Sequence, residues 1–242
     1  MTTGPISQPK QITLWVSVIL ALAVLIGLGT WQMQRRAWKL GLIDRIESRA
    51  HGEAISLTLA KDLWRREGDV EYYRVVLVGR FLNEEERHLY TIEDGKPAWR
   101  IVTPLATSGG DIVLVDRGYV PEALKDPATR KQGQIAGMVE VVGLARAAVP
   151  PNWFTPAGDP KRNQWFTRDI ASMAASLPAD QAPRVQPFMI EAEAEPVPGG
   201  WPRGGVTRLV LQNRHLEYAL TWYGLAVTLL VVAFFLARGR AR

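Results

Sequence analysis

Two long stretches of the chain lack charged side chains, and they constrain the fold more than any other feature of the sequence. The first covers residues 12–34 and the second covers residues 218–237, and both are rich in leucine, valine and alanine. A helix needs about 20 mainly apolar residues to cross the hydrocarbon core of a bilayer. Because both stretches are long enough, the sequence predicts a membrane protein with two transmembrane helices.

The first apolar stretch is longer than the roughly 7–15 residues of a signal-peptide core, and no small-residue cleavage site follows it, so we expect a retained anchor. Two spans place both tails on one side of the membrane and the intervening domain on the other. The predicted parts are an N-tail at residues 1–11, a first span at 12–31, a domain at 32–214, a second span at 215–237 and a basic C-tail at 238–242.

Basic residues near the spans bear on the orientation. The C-tail carries three arginines and the N-tail carries Lys10, which favours both tails in the cytoplasm. Three further basic residues lie between positions 35 and 39, on the domain side of the first span. Since long domains cross the membrane largely regardless of charge, we expect the domain outside the cytoplasm.

The region between the spans has the pattern of a β-rich domain. Its strand-like segments are short, β-branched and partly alternating, and they cover residues 73–82, 87–92, 99–106, 111–120 and 138–146. Asp94-Gly95 and Gly109-Gly110 are plausible hairpin turns between them. We expect further strands at residues 163–167 and 187–190, with a short helix at 169–176. Because β-α-β alternation is not visible, the sequence predicts an α+β domain, mainly an antiparallel barrel or sandwich.

Several classes of function are excluded or disfavoured by composition. The chain has no cysteine, which excludes disulfides, thiolate metal sites and a cysteine nucleophile. Common nucleotide-binding, hydrolase and zinc-protease motifs are missing from the sequence. The net charge is +5, but the basic residues are scattered, so we expect no nucleic-acid partner. The sequence therefore favours a protein that catalyses no covalent reaction, with a membrane-anchored enzyme as the weaker alternative.

Polar residues within the domain have simple expected positions. We expect His88 and the acidic run at residues 84–86 to lie on the surface, and His51 to stand at a helix end. Glu191, Glu193 and Glu195 alternate with alanine, and we expect them to form the solvent face of an edge strand.

A histidine stands at the start of the second apolar stretch. On a helix, His215, Tyr218 and Trp222 fall at positions i, i+3 and i+7 and share one face. Tyrosine and tryptophan often form belts at a membrane interface, which is one interpretation. The other is an axial imidazole beside aromatic walls, which is the chemistry needed to hold a haem. The first span offers a matching set of side chains, namely Trp31, Gln34, Arg35 and Trp38.

Two blocks of sequence resemble those of a known family. Residues 213–223, NRHLEYALTWY, resemble the N-x-H-x-x-Y-A-x-T-W-Y pattern of the Surfeit locus protein 1 family, and residues 28–35, LGTWQMQR, resemble its L-G-x-W-Q-x-x-R. Further blocks that resemble the family lie at residues 79–81, 102–105, 115–121 and 163–169. The block at 115–121 departs from the family pattern, because Asp116 replaces asparagine and Tyr119 replaces tryptophan.

The resemblance implies an assembly factor for haem-copper cytochrome c oxidase. It implies a bacterial inner-membrane protein whose domain faces the periplasm, and which helps to deliver haem a to oxidase subunit I or to insert it there. Its expected partners are subunit I, the haem a synthesis machinery and the lipid bilayer. The resemblance implicates His215 as the ligand of the haem iron. On residue types, we expect Tyr218, Trp222, Trp31 and Arg35 to complete the pocket. The alternative is a scaffold that stabilises an oxidase assembly intermediate without binding haem.

Overall fold

A computed structural model describes residues 8–205 and 213–240. The chain divides into two compact units, one formed by Met1–Arg45 with Val210–Arg242 and the other by Ile46–Leu209. Residues 1–7 of the predicted N-tail, residues 241–242 of the predicted C-tail and residues 206–212 of the predicted domain lie outside the described residues.

The first unit is helical. Helix α1 spans Gln8–Ala50 and helix α4 spans His215–Arg240. Within them, Ile12–Ala50 and His215–Gly239 are long and apolar enough to cross a membrane. This confirms two apolar helices that flank the central domain in the sequence, and α1 continues without a break through residues 31–50. The side of the membrane on which each tail lies stays a prediction.

One stripe along each helix is shielded from solvent. On α4 the stripe holds three buried alanines, Ala219, Ala226 and Ala233, each seven residues from the next. On α1 it includes the buried Gly29, the half-buried Leu25 and further half-buried positions seven or more residues closer to the N-terminus than Leu25. Spacings of three and four residues place such positions on one helix face, and small residues let two helices approach closely.

The second unit is built on a closed sheet. Its strands are β1 Ile55–Ser56, β2 Arg74–Phe81, β3 Arg87–Glu93, β4 Lys96–Thr107, β5 Ile112–Pro121, β6 Met138–Ala147 and β7 Val185–Ala192. The strand order is β1-β2-β6-β7-β5-β4-β3, and a further pairing of β2 with β4 closes the barrel. Most pairings are antiparallel, whereas β5–β7 and β1–β2 are parallel. The predicted antiparallel, barrel-like domain is therefore confirmed.

Apolar side chains from alternate strand positions fill the barrel. Val75, Leu77, Val115, Phe188 and Ile190 are almost inaccessible to solvent. Burying one such side chain contributes about 1.5–3 kcal/mol, so this core supplies much of the driving force for closure.

Two short helices cover the barrel. Helix α2, Leu57–Glu67, is capped by Ser56 at its start and by Gly68 in the left-handed region at its end. It packs Ala60, Leu63 and Trp64 against the core, and the sequence analysis did not predict it. Helix α3, Ile170–Ala175, confirms the short helix expected at residues 169–176.

Two expectations about strands are wrong. The segment at residues 163–167 forms isolated bridges, such as the one between Leu89 and Trp165, instead of a strand. Glu191 does not lie on the solvent face of an edge strand, because β7 pairs with β5 on one side and β6 on the other. Its side chain is buried, whereas Glu195 further along the chain is exposed. The alternation of glutamates therefore does not mark a solvated face.

One glycine marks a close approach of two backbone segments. Gly118 has φ +104°, and a Cβ added there would lie 1.8 Å from the carbonyl oxygen of Arg203. The next residue, Tyr119, exchanges two backbone hydrogen bonds of 3.0 Å with Arg203. Gly118 therefore allows the segment that follows β7 to lie directly against β5.

Replacing this glycine should destabilise the barrel more than replacing a glycine in open space. We expect Gly118→Ala to lower the free energy of unfolding by about 3–5 kcal/mol, because both the positive φ and the close backbone oppose a side chain. Gly137 has φ +92° with no atom within 4 Å of the added Cβ, so Gly137→Ala should cost only about 1–2 kcal/mol. Denaturation of the detergent-purified proteins measures both values, and equal losses would contradict this account of Gly118.

Candidate functional site

The two sequence blocks at residues 28–35 and 213–223 meet where α1 contacts α4. The Tyr223 ring lies against Gly29, where an added Cβ would be 2.6 Å from the ring. The Tyr223 hydroxyl is 3.2 Å from Thr30 Oγ1. His215 Nδ1 lies 2.7 Å from Gln32 Oε1. Residues far apart in the chain thus form one site, which we call the α1–α4 site and define by Gly29, Gln32, His215 and Tyr223.

The hydrogen bond to Gln32 determines which nitrogen of His215 is available. An amide oxygen only accepts hydrogen bonds, so the tautomer of His215 that bonds to Gln32 Oε1 is the one with its proton on Nδ1. In that tautomer the lone pair is on Nε2. A hydrogen bond of this kind on the second ring nitrogen is the usual way in which proteins orient a histidine that binds a metal. His215 is therefore held in the form that can bind iron through Nε2.

The other predicted site residues lie on the same two helices, and most of them are exposed. Tyr218 is exposed and Trp222 is half-buried on α4. On α1, Trp31 and Arg35 are exposed, and the guanidinium of Arg35 stacks over the Trp38 ring at 4.0 Å. The roles of these four residues in ligand binding stay predictions.

Gln32, Gly29 and Tyr223 were not among the predicted site residues. Gly29 and Gln32 are three residues apart and share the shielded stripe of α1, whereas Trp31 is two residues from Gly29 and so lies on a different side of the helix. The spacing of small and polar residues along α1 is the signal that could have identified the stripe.

The donor set at the α1–α4 site suits a haem better than a bare metal ion. Among residues 8–205 and 213–240, no three histidine, aspartate or glutamate side chains are grouped so as to hold a metal. A haem iron already has four nitrogen donors from its own ring, so a single imidazole can complete an axial position. Haem a, as a cargo, is compatible with what His215 offers.

A buried charged cluster lies at the start of β3 in the barrel. Glu86 and His88 are both buried, and His88 Nε2 is 2.7 Å from Glu86 Oε1. Arg130 Nη2 donates to the same oxygen. The expectation that His88 and the whole acidic run lie on the surface is therefore wrong. Burial of Glu86 is favoured because the buried Arg130 guanidinium requires a carboxylate partner.

Burial and hydrogen bonding oppose each other at Glu86. Burial raises the pKa of the Glu86 carboxyl, but the hydrogen bonds from His88 and Arg130 and the charge of Arg130 outweigh burial and lower that pKa below its ordinary value. Nearby, burial lowers the pKa of Arg117 to about 10.

A second charged cluster lines an open cleft of about 520 Å³ on the barrel. Three arginines from separate parts of the chain surround Glu191. Arg146 Nη1 donates to it at 2.6 Å and Arg168 Nη1 at 3.2 Å, while Arg100 Nη2 is 3.8 Å away. Arg100 also donates to the fully buried Asp116.

The acidic partners largely satisfy the arginines of this cleft. Burial raises the pKa of the Asp116 carboxyl, and Arg100 opposes that effect. Glu71 pairs with Arg146 at 2.8 Å. The three guanidinium groups therefore face Glu191, Asp116 and Glu71, and the charge of Glu93, which also lines the cleft, acts on Arg100. This network links β4, β5, β6 and β7.

Comparison with known proteins covers both blocks of the α1–α4 site. The SURF1 family model matches residues 19–227. Surfeit locus protein 1 of Mus musculus is 37% identical over 224 residues, which cover 86% of this chain and 70% of the mouse protein. The Homo sapiens protein of the same name is 36% identical over 229 residues, or 88% and 73% of the two chains. That of Xenopus tropicalis is 35% identical over 244 residues, or 93% and 76%.

The charged cluster at Glu86 should make the free energy of unfolding depend on pH in the acidic range. Because the pKa of Glu86 is lowered in the folded protein, its contribution is fully present above the ordinary carboxyl pKa of about 4.3 and is lost as the pH falls through the lowered value. We expect Glu86→Gln to lower the unfolding free energy at neutral pH by about 3 kcal/mol and to flatten its fall in acid. Denaturation at a series of pH values measures this. Glu84→Gln, in the exposed part of the same run, should keep the parental profile; a parental profile in Glu86→Gln would refute the assignment.

The contact between Gly29 and Tyr223 should respond to added volume. We expect Gly29→Leu to lower the thermal stability of the detergent-purified protein, because the new side chain would displace the Tyr223 ring and separate α1 from α4. A loss of about 1–3 kcal/mol is typical of such overpacking. Gly27→Leu is the matched control, since no atom lies within 4 Å of a Cβ at Gly27. Equal stability of the two variants would show that this contact contributes nothing.

Proposed function

Because the chain belongs to the SURF1 family, we propose that it is an assembly factor for haem-copper cytochrome c oxidase that binds haem a at the α1–α4 site and passes it to subunit I. In this proposal the protein lies in a bacterial inner membrane with its barrel in the periplasm. It receives haem a from the synthesis machinery and catalyses no covalent reaction.

The hydrogen bond from His215 to Gln32 is the observation that carries the proposal. It orients the imidazole and leaves Nε2 as the donor nitrogen. A histidine that served only in an interfacial belt would not need a half-buried partner on another helix. The pairing instead restrains the ring before a ligand arrives, which reduces the entropy lost on binding.

The surroundings of His215 are suited to a large, flat, amphipathic ligand. Tyr218 and Trp222 follow His215 on α4 and offer aromatic surface at the depth of the membrane interface. Arg35 on α1 is exposed and stacks on Trp38. In this proposal Arg35 leaves Trp38 to pair with a haem carboxylate, because a guanidinium binds a carboxylate with two parallel hydrogen bonds.

A single protein donor fits transfer better than permanent storage. One imidazole gives weaker attachment than two axial ligands, so the haem can leave when a partner offers more ligands. The α1–α4 site would therefore capture haem a reversibly at the membrane interface. Haem a supplies the redox chemistry only after it reaches the oxidase.

The optical spectrum of protein purified from cells that make haem a tests the proposal. We expect a haem band in the parent that is lost or shifted in His215→Ala. His51→Ala is the control, since His51 stands at the end of α1 and its Nδ1 contacts Glu47. An unchanged band in His215→Ala would refute haem binding at the α1–α4 site.

Gln32 provides a second, graded test. We expect Gln32→Leu to lower haem affinity about tenfold, because loss of the partner on Nδ1 releases the orientation of the ring. Met33→Leu alters an exposed side chain next to Gln32 and should bind haem like the parent. If neither the parent nor any variant binds haem, and the parent still binds subunit I, the scaffold alternative would replace this proposal.

A further inference from the structure

Two aromatic side chains protrude from the loop between β6 and α3. Trp153 is 87% exposed and Phe154 is 80% exposed, and their ring centroids are 4.4 Å apart. The most exposed large apolar side chains on α1 and α4 reach only 65%. Residues 147–158 around this pair carry no charged side chain. We call Trp153 and Phe154 the aromatic tip.

The exposure of the aromatic tip is built into the loop. Asn152 Oδ1 accepts hydrogen bonds from the backbone N–H of Phe154 at 2.9 Å and of Thr155 at 3.1 Å. The Thr155 hydroxyl donates to the same oxygen at 3.2 Å. Val149 N–H donates to Arg168 O at 3.0 Å and ties the base of the loop to the barrel. The turn therefore presents both rings to the outside in a defined geometry.

Basic side chains follow the aromatic tip in sequence. Lys161 and Arg162 are exposed, and Arg162 lies 3.6 Å from Asp159 in a solvent-exposed pair. The segment at residues 159–162 thus carries a net charge of +1 beside an uncharged tip. Apolar rings followed in sequence by exposed cations are the side chains that the acyl boundary and the anionic headgroups of a membrane surface attract.

The size of the aromatic tip distinguishes between a membrane and a protein as its partner. A stable protein interface buries about 800 Å² on each partner, whereas two aromatic side chains offer about 150–250 Å² each. An interfacial anchor needs only apolar groups that enter the boundary of headgroups and acyl chains by about 5–10 Å. The aromatic tip is therefore too small for a protein interface by itself and large enough for a lipid contact.

The same chain also keeps a membrane within reach. Gly205, the last described residue of the barrel unit, precedes Asn213 by eight residues, and eight residues extend at most about 29 Å. Tethering of this kind raises the effective concentration of the membrane surface around the barrel. A weak lipid contact can then be occupied for much of the time.

We propose that the aromatic tip inserts into the headgroup region of the bilayer that α1 and α4 cross. The contact would be a third membrane attachment, in addition to the two spans, and would limit the rotation of the barrel about its tethers. This inference depends on the membrane spans and not on haem binding, so either can fail without the other.

Site-specific fluorescence tests the proposal, because the chain has no cysteine of its own. The full-length variants Phe154→Cys and Ala157→Cys are labelled with an environment-sensitive dye and reconstituted, one copy per nanodisc, in bilayers with and without anionic lipid. Ala157→Cys leaves both rings of the aromatic tip in place. Ile92→Cys is the control, since Ile92 is an aliphatic residue of β3 that is 62% exposed.

We expect the dye emission at positions 154 and 157 to shift to the blue in bilayers. We also expect nitroxide-labelled lipid to quench the dye at these two positions, with neither effect at position 92. Replacing Trp153 with serine in the Ala157→Cys protein should reduce both effects. Equal quenching of all three sites by aqueous iodide, with no effect of nitroxide lipid, would overturn the proposal. A blue shift that appears only when subunit I or a second copy of the chain is added would also overturn it in favour of a protein partner.

Discussion

The closure of the barrel by β4 is the constraint on which the rest of the domain depends. This strand pairs with β3 and β5 along its length and with β2 near its end, through residues such as Leu105 opposite Phe81. The pairing of β4 with β5 has a register shift between Arg100 and Val102, and such an irregularity bends a strand. The pairing of β2 with β4 closes the sheet on itself and creates an interior with little access to water.

Burial against the barrel explains why charged residues occur in pairs and groups. A buried charge is costly unless an opposite charge and hydrogen bonds accompany it. Glu86 meets His88 and Arg130, and Glu191 meets Arg100, Arg146 and Arg168. Arg130 is 44 residues from Glu86 and Arg146 is 45 residues from Glu191, so a misaligned barrel would leave these buried charges without their partners.

The helical unit follows a different physical logic. Between helices in lipid, apolar burial contributes little, and close packing with a few polar contacts stabilises association. Gly29 admits the Tyr223 ring and the alanines of α4 keep its shielded stripe narrow. The hydrogen bond between Gln32 and His215 is formed within this close contact. The residues that bring α1 and α4 together are therefore also those that orient the candidate iron ligand.

Local patterns in the sequence were sufficient for the two apolar helices and five of the strands, because length, hydropathy and side-chain alternation are properties of neighbouring residues. They were insufficient for α2, for the burial of His88 and Glu191, and for Gln32 as the partner of His215. Each of these depends on which distant segment lies opposite, and alternation alone cannot distinguish a solvated face from one that is buried against an arginine. The sequence by itself thus determined the two apolar helices and the class of the domain, and it proposed His215 as a candidate ligand. Only the tertiary structure decided which charges are buried and which side chain pairs with His215, because those outcomes depend on contacts between distant residues, such as the 44 positions between Glu86 and Arg130 and the 183 between Gln32 and His215.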